Sequence, residues 1–175
     1  MKSITISEFL ELRRSSHAPG NIDGIIRRKE RWTALEILQC EGIGSTYKLR
    51  IVLRVALIDS QLLHEIACRF AEELQKQVTV TDPVNIAAIE AKRAWLRSEI
   101  SDEQLYAARR AAVKVAWVAK KPAEEAFARS ASYAADLDPR VAAGSIAAIS
   151  DSNTRDKLVS MLIDILVEQD RHISL

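Results

Sequence analysis

Apolar residues recur at intervals of three and four along most of the chain, the spacing of helices that each bury one face. Leu63, Ile66, Ala67, Phe70, Ala71 and Leu74 make the clearest such stripe, on a helix that Ser60 caps and that ends near Lys76. Four further starts are written in capping chemistry. Asp82-Pro83 and Asp138-Pro139 each set an acceptor at the cap and a preformed φ in the first turn. Ser101 with Gln104 is a capping box for a helix reaching about Ala119, and Pro122 opens one continuing to about Ala135. Ser150 or Asp151 precedes a last amphipathic helix with Leu158, Met161, Leu162, Ile165 and Leu166 inward.

The N-terminal part reads in the same way. Ser7 caps a first helix to about Ser16, with Phe9, Leu10 and Leu12 on its apolar side, and His17–Gly24 breaks it with Pro19, Gly20 and Gly24. A second helix spans roughly Ile25–Cys40, its stripe formed by Ile25, Trp32, Leu35 and Leu38, and Gly42 and Gly44 stop it. Lys48–Ile58 fits both alternation and a helical period. It is assigned to helix because no partner strand is apparent elsewhere and a lone strand leaves its backbone unpaired.

Alanine at Ala88, Ala91, Ala108, Ala112, Ala119, Ala131, Ala134 and Ala142 thins the helix surfaces, so their axes can approach toward the short end of the usual range of about 8–10 Å. Trp95, Trp117, Phe127 and Tyr133 are expected to fill the gaps where helices diverge. The fold class that follows is all-α, a compact alanine-rich multi-helix bundle or stacked helical hairpins. Its 175 residues suit a single helical domain, with basic N-terminal helices over 1–54 and an alanine-rich core over 55–175.

Charge separates these two regions. Residues 1–54 hold ten Lys or Arg against six Asp or Glu, while 55–175 hold fifteen against eighteen. The excess gathers at Arg27, Arg28, Lys29 and Arg31, interrupted by Glu30 and followed by Trp32. Such a mixed surface suits a protein partner, and Arg27, Arg28, Arg31, Trp32 and Tyr47 are the candidate binding residues, since Arg, Trp and Tyr dominate interface hot spots. A nucleic-acid-associated role for the same basic region is the alternative. The start of the chain has no secretory-signal pattern and no apolar run could span a bilayer, so a cytoplasmic protein without membrane contact is expected.

Catalytic ingredients are scarce. His17, His64 and His172 lie in no His-Glu-x-x-His context, and Cys40 and Cys68 form no Cys-x-x-Cys. His64 and Cys68 are one helical turn apart, but no third residue stands out to orient them; the pair reads as a boundary histidine beside an inert thiol. Glu72-Glu73, Asp102-Glu103 and Glu124-Glu125 are neighbours in sequence, and adjacent helical residues diverge by about 100°. No catalytic residue, cofactor site or metal site is assigned, and a non-enzymatic protein is expected.

The runs ALIDSQLLHEIACRFAEEL (Ala56–Leu74) and DPVNIAAIEAKRAWLRSEISDEQLYAARRAAVKVAWVA (Asp82–Ala119) resemble alanine-rich helical proteins of bacteria and their phages, some described as putative immunity proteins of toxin systems. The resemblance rests on Phe70-Ala71, on Ala88-Ile89-Glu90 with Arg93, on Ser98–Ser101, and on the alanines around Arg109. It implies a helical fold and a non-enzymatic interaction role, and it assigns no individual functional residue.

Overall fold

Two Thr-x-x-Glu sequences, Thr5–Glu8 and Thr33–Glu36, organise the first part of the chain, and each turns a short strand directly into a helix. The Thr33 and Glu36 side chains exchange hydrogen bonds with each other's backbone N–H groups at 3.3 and 2.9 Å. Thr5 and Glu8 do the same at 3.3 and 2.7 Å. In this computed structural model, which describes residues 2–15, 22–79 and 81–173, the elements are β1 (Ser3–Thr5), α1 (Ile6–Ser15), α2 (Asp23–Ile26), β2 (Arg31–Thr33), α3 (Ala34–Gln39), α4 (Ser45–Val52), α5 (Ser60–Gln75), α6 (Pro83–Leu96), α7 (Asp102–Val118), α8 (Pro122–Ala134), α9 (Pro139–Ile149) and α10 (Ser152–Ile173). The protein is all-α in class, with one two-stranded antiparallel ribbon among the described residues.

The chain forms two compact units, Met1–Asp59 with Asp151–Leu175, and Ser60–Ser150. Helix α10 packs on α3 and α4 and so groups with the N-terminal elements.

In the first unit the ribbon replaces part of the expected Ile25–Cys40 helix. Ile4 pairs with Trp32, Ser3 with Thr33 and Thr5 with Arg31. Strand alternation sends Ile4 and Trp32 to the buried face, where the Trp32 ring meets Phe9 edge-on with centroids 5.6 Å apart. The Trp32 Nε1–H donates to the Ile26 carbonyl at 2.9 Å, so the indole's single donor is satisfied. The cap of α1 is Thr5, not Ser7. The expected helix end near Ser16, the break at Pro19 and Gly20, and His17 lie outside the described residues, as does the side chain of His172. Gly42 holds φ +85, a left-handed turn that suits glycine and stops the chain after α3. Helix α4 ends at Val52, short of the expected Ile58. A tight turn follows, with the Leu57 and Ile58 N–H groups returning to the Arg54 carbonyl at 3.0 and 2.9 Å, and it buries Leu53, Leu57 and Ile58. On α10, Leu158, Leu162, Ile165 and Leu166 are buried and Met161 is half-buried.

The second unit follows its caps closely. The Asp82 carboxylate accepts from Val84 N–H at 2.9 Å, Ser101 and Gln104 form their capping box, and Pro83, Pro122 and Pro139 each lie in a first turn. The stripe Leu63, Ile66, Ala67, Phe70, Ala71 and Leu74 of α5 is buried as expected, and α5 packs against α6, α8 and α9. Helix α7 packs against α6 and α8 through Leu105, Ala112 and Ala116. Ala88, Ala131, Ala134 and Ala142 are also fully buried, whereas Ala91, Ala108 and Ala119 are partly exposed.

Two stability predictions test this register. Ala112 has no exposed surface, so Ala112→Leu overpacks the α7 contact and is expected to destabilise by about 1–3 kcal/mol in urea unfolding. A loss below about 0.5 kcal/mol, typical of surface positions, would place the position in solvent. Asp138 accepts from Arg140 and Val141 N–H groups at 2.8 and 3.4 Å, and Asp138→Ala is expected to cost about 0.5–2 kcal/mol. An unchanged unfolding midpoint would show that this cap contributes nothing.

Candidate functional site

The five candidate residues of the N-terminal region do not form one surface. Arg27 and Arg28 are exposed at the turn after α2. Arg31 is exposed on β2, where its guanidinium donates to the Ser3 hydroxyl at 2.9 Å and the Ser3 carbonyl at 3.2 Å, tying the ribbon together. Trp32 retains 5% exposure and is a core residue, because the strand turns it to the face opposite Arg31. Tyr47 is half-buried on α4. Lys29 is paired with Glu36 and is thereby drawn toward the start of α3.

In the second unit, α7 carries the most exposed of the large apolar side chains. Trp117 is 79% exposed and Val118 is 74% exposed at the end of α7, so Trp117 does not fill a gap between helices. Trp95 and Tyr133 are half-buried, and only Phe127 of the four expected fillers is fully inside. At about 100° per residue, Tyr106, Arg110, Lys114 and Trp117 fall within an arc of about 80°, opposite the packed Leu105, Ala112 and Ala116. All four are exposed, and the Arg110 guanidinium lies 5.9 Å from the Tyr106 ring centroid.

No carboxylate occurs between Gln104 and Ala123, a stretch that holds Arg109, Arg110, Lys114, Lys120 and Lys121. Arg109 is committed to Asp136 at 2.7 Å and Lys121 to Glu124 at 3.1 Å. Arg110, Lys114 and Lys120 pair with no carboxylate among the described residues. This basic run is legible in the sequence, but the net negative charge of residues 55–175 masks it.

Val118 also lines a cavity of about 580 Å³ formed by the start of α6, the end of α7 and the start of α8. Pro83, Val115, Ala119 and Phe127 supply its other apolar walls, and Asp82, Lys120, Lys121 and Glu124 line it as well. Asn85, itself only 2% exposed, lines it too, and its side-chain oxygen has no hydrogen-bond partner. The volume lies within the range of about 300–1,000 Å³ typical of ligand pockets.

A second cavity of about 560 Å³ is lined by Ser60, Gln61, His64, Trp95, Ser98 and Asp102 among others. His64 is buried at 4% exposure, not at the boundary as expected, and meets the Trp95 ring edge-on at 5.3 Å. Burial, reinforced by the nearby Lys92 ammonium, pushes His64 down to about 4, against the opposing pull of Asp138 and Asp136. It is therefore a neutral imidazole at physiological pH.

Lys92 has no exposed surface, and burial lowers it to about 8. Its ammonium donates to the Asp136 carbonyl at 2.6 Å and sits 3.9 Å from the Trp95 ring centroid. The Trp95 Nε1–H in turn donates to Asp102 at 2.6 Å. These bonds account for the buried charge as a brace between α6 and the turn after α8. Burial, and then the neighbouring Glu65, pushes the Cys68 thiol up to about 12, which leaves it unreactive beside His64.

The acidic neighbours do not converge on one another. Glu72 instead grips Arg93 through two bonds of 2.6 and 3.1 Å, with Glu65 at 3.6 Å, joining α5 to α6. Among the described residues there is no group of three or more His, Cys, Asp or Glu placed to hold a metal ion. Among them, too, no helix is long and apolar enough to cross a membrane. The sequence matches no protein-family model, and no curated protein or solved structure is significantly similar to it.

Proposed function

We propose that this is a non-enzymatic protein-binding domain, inhibitory or immunity-like in role and acting in the cytoplasm, whose partner docks on the exposed face of α7. The observation that carries the reading is the pair Trp117 and Val118, 79% and 74% exposed beside a cavity partly walled by Val115, Ala119 and Phe127. An exposed tryptophan next to a cavity is the kind of feature that anchors interfaces, where Trp, Tyr and Arg carry most of the energy. The scaffold supports it: α7 is held by fully buried Ala112 on a capped, tightly packed helix, so the face is rigid before a partner arrives. The resemblance to alanine-rich immunity-type helices covers Ala56–Ala119 and includes all of α7.

The alternative, a nucleic-acid-associated accessory protein, draws on the exposed Arg27 and Arg28. Affinity capture from the native cellular background, with nuclease treatment, separates the two. A protein partner retained after nuclease is expected to lose at least about thirtyfold in affinity with Trp117→Ala, the loss of a hot-spot anchor, and to tolerate the triple exchange of Arg27, Arg28 and Arg31 to Ala. Loss with the triple variant but not with Trp117→Ala would move the interface to the N-terminal unit. Recovery of nucleic acid alone, with steep salt dependence, would favour the alternative.

A further inference from the structure

From the charge and cavity geometry we infer the chemistry of the partner: α7 takes an acidic amphipathic polypeptide segment, with an aromatic anchor in the cavity beside Val118 and carboxylates over Arg110 and Lys114. This inference rests on the protein-binding reading and narrows it.

Two of the five cations between Gln104 and Ala123 are already committed, since Arg109 and Lys121 hold Asp136 and Glu124. Arg110 and Lys114 are exposed on the same arc as Trp117, with no carboxylate on that stretch of α7 to neutralise them. They stand one helical turn apart, about 6 Å along the axis, which is the separation of two carboxylates at i and i+4 on a facing helix. Tyr106 and Trp117 bracket them over about 16 Å, a length that about three turns of a helical partner would cover.

The anchor follows from the cavity. Val115, Val118, Ala119 and Phe127 offer apolar walls to a ring. An aromatic side chain would cover such walls with a large, rigid apolar surface. Nucleic acid fits less well. The three cations free of carboxylates are few for an interaction dominated by phosphate neutralisation, and a sugar-phosphate backbone supplies nothing for the apolar walls.

The test is selection of a displayed library of random peptides, each about 16 residues long so as to exceed the three turns that span the face, on the full chain, with affinities of enriched peptides then measured by fluorescence anisotropy. Enriched sequences are expected to combine at least two Asp or Glu with one aromatic residue. Arg110→Gln with Lys114→Gln should weaken such a peptide by about three- to thirtyfold, with unchanged urea midpoints because both positions are exposed. Replacing the peptide's aromatic residue by alanine should weaken it by at least about thirtyfold, the loss of a hot-spot anchor.

Peptides that need Trp117 but ignore the Gln exchanges and show no acidic bias would overturn this inference and leave the protein-binding reading standing. No enrichment over a Trp117→Ala chain would overturn both. Tighter binding of a single-stranded oligonucleotide, falling steeply with salt, would replace the acidic polypeptide with nucleic acid.

Discussion

Trp32→Ala is expected to destabilise the protein by about 3–5 kcal/mol, a larger loss than either Ala112→Leu or Asp138→Ala should produce. The side chain is 5% exposed, meets Phe9 edge-on, pairs across the ribbon with Ile4 and donates its indole proton to Ile26. Removing it opens a cavity and leaves the Ile26 carbonyl without that donor. Urea unfolding followed by circular dichroism measures the loss. A change below about 0.5 kcal/mol would return Trp32 to the surface and revive it as a contact residue.

The second large effect is a loss of stability in mild acid that depends on His64. Its folded value of about 4 lies below the ordinary 6.5, because burial and Lys92 disfavour the imidazolium more than Asp138 and Asp136 favour it. The unfolded chain therefore takes up the proton first as pH falls. Stability from this group is complete above about pH 6.5, declines as pH drops, and levels off below about 4, for a total on the order of 3 kcal/mol. Between about pH 7 and pH 5 the natural protein should lose about 2 kcal/mol more than His64→Gln does. Parallel losses in the two proteins would show that other groups set the acid sensitivity.

The second unit is largely legible in the sequence because its signals are local. Asp82-Pro83, Ser101 with Gln104, Pro122 and Asp138-Pro139 each define a helix start within four residues; α6, α7 and α9 begin at their expected caps, and Pro122 lies in the first turn of α8. The first unit is less so. Strands of three residues, Ser3–Thr5 and Arg31–Thr33, are too short to display a period of two, and each pairs with a segment more than two dozen positions away in sequence. Their Thr-x-x-Glu boundaries are readable as capping boxes, and taking Thr33 as a helix start breaks the expected Ile25–Cys40 helix at Trp32.

The candidate binding face illustrates the opposite difficulty. Trp117 occupies a position on α7 where neither propensity nor charge distinguishes a buried from an exposed ring, so only the packing of α7 against α6 and α8 reveals its 79% exposure. The basic run beside it is present in the sequence but diluted by acidic residues elsewhere. The four-residue spacing of His64 and Cys68 makes them neighbours on one helix, yet their burial depends on α6 and the turn after α8, which no local pattern specifies.

Site-specific photo-crosslinking in the native cellular background tests the central claim most directly. A benzophenone side chain placed at Trp117 is predicted to capture one protein through an acidic segment, with the adduct diminished by Arg110→Gln and Lys114→Gln, while the same group at Arg28 captures none. A protein adduct at Arg28 with none at Trp117 would contradict the account.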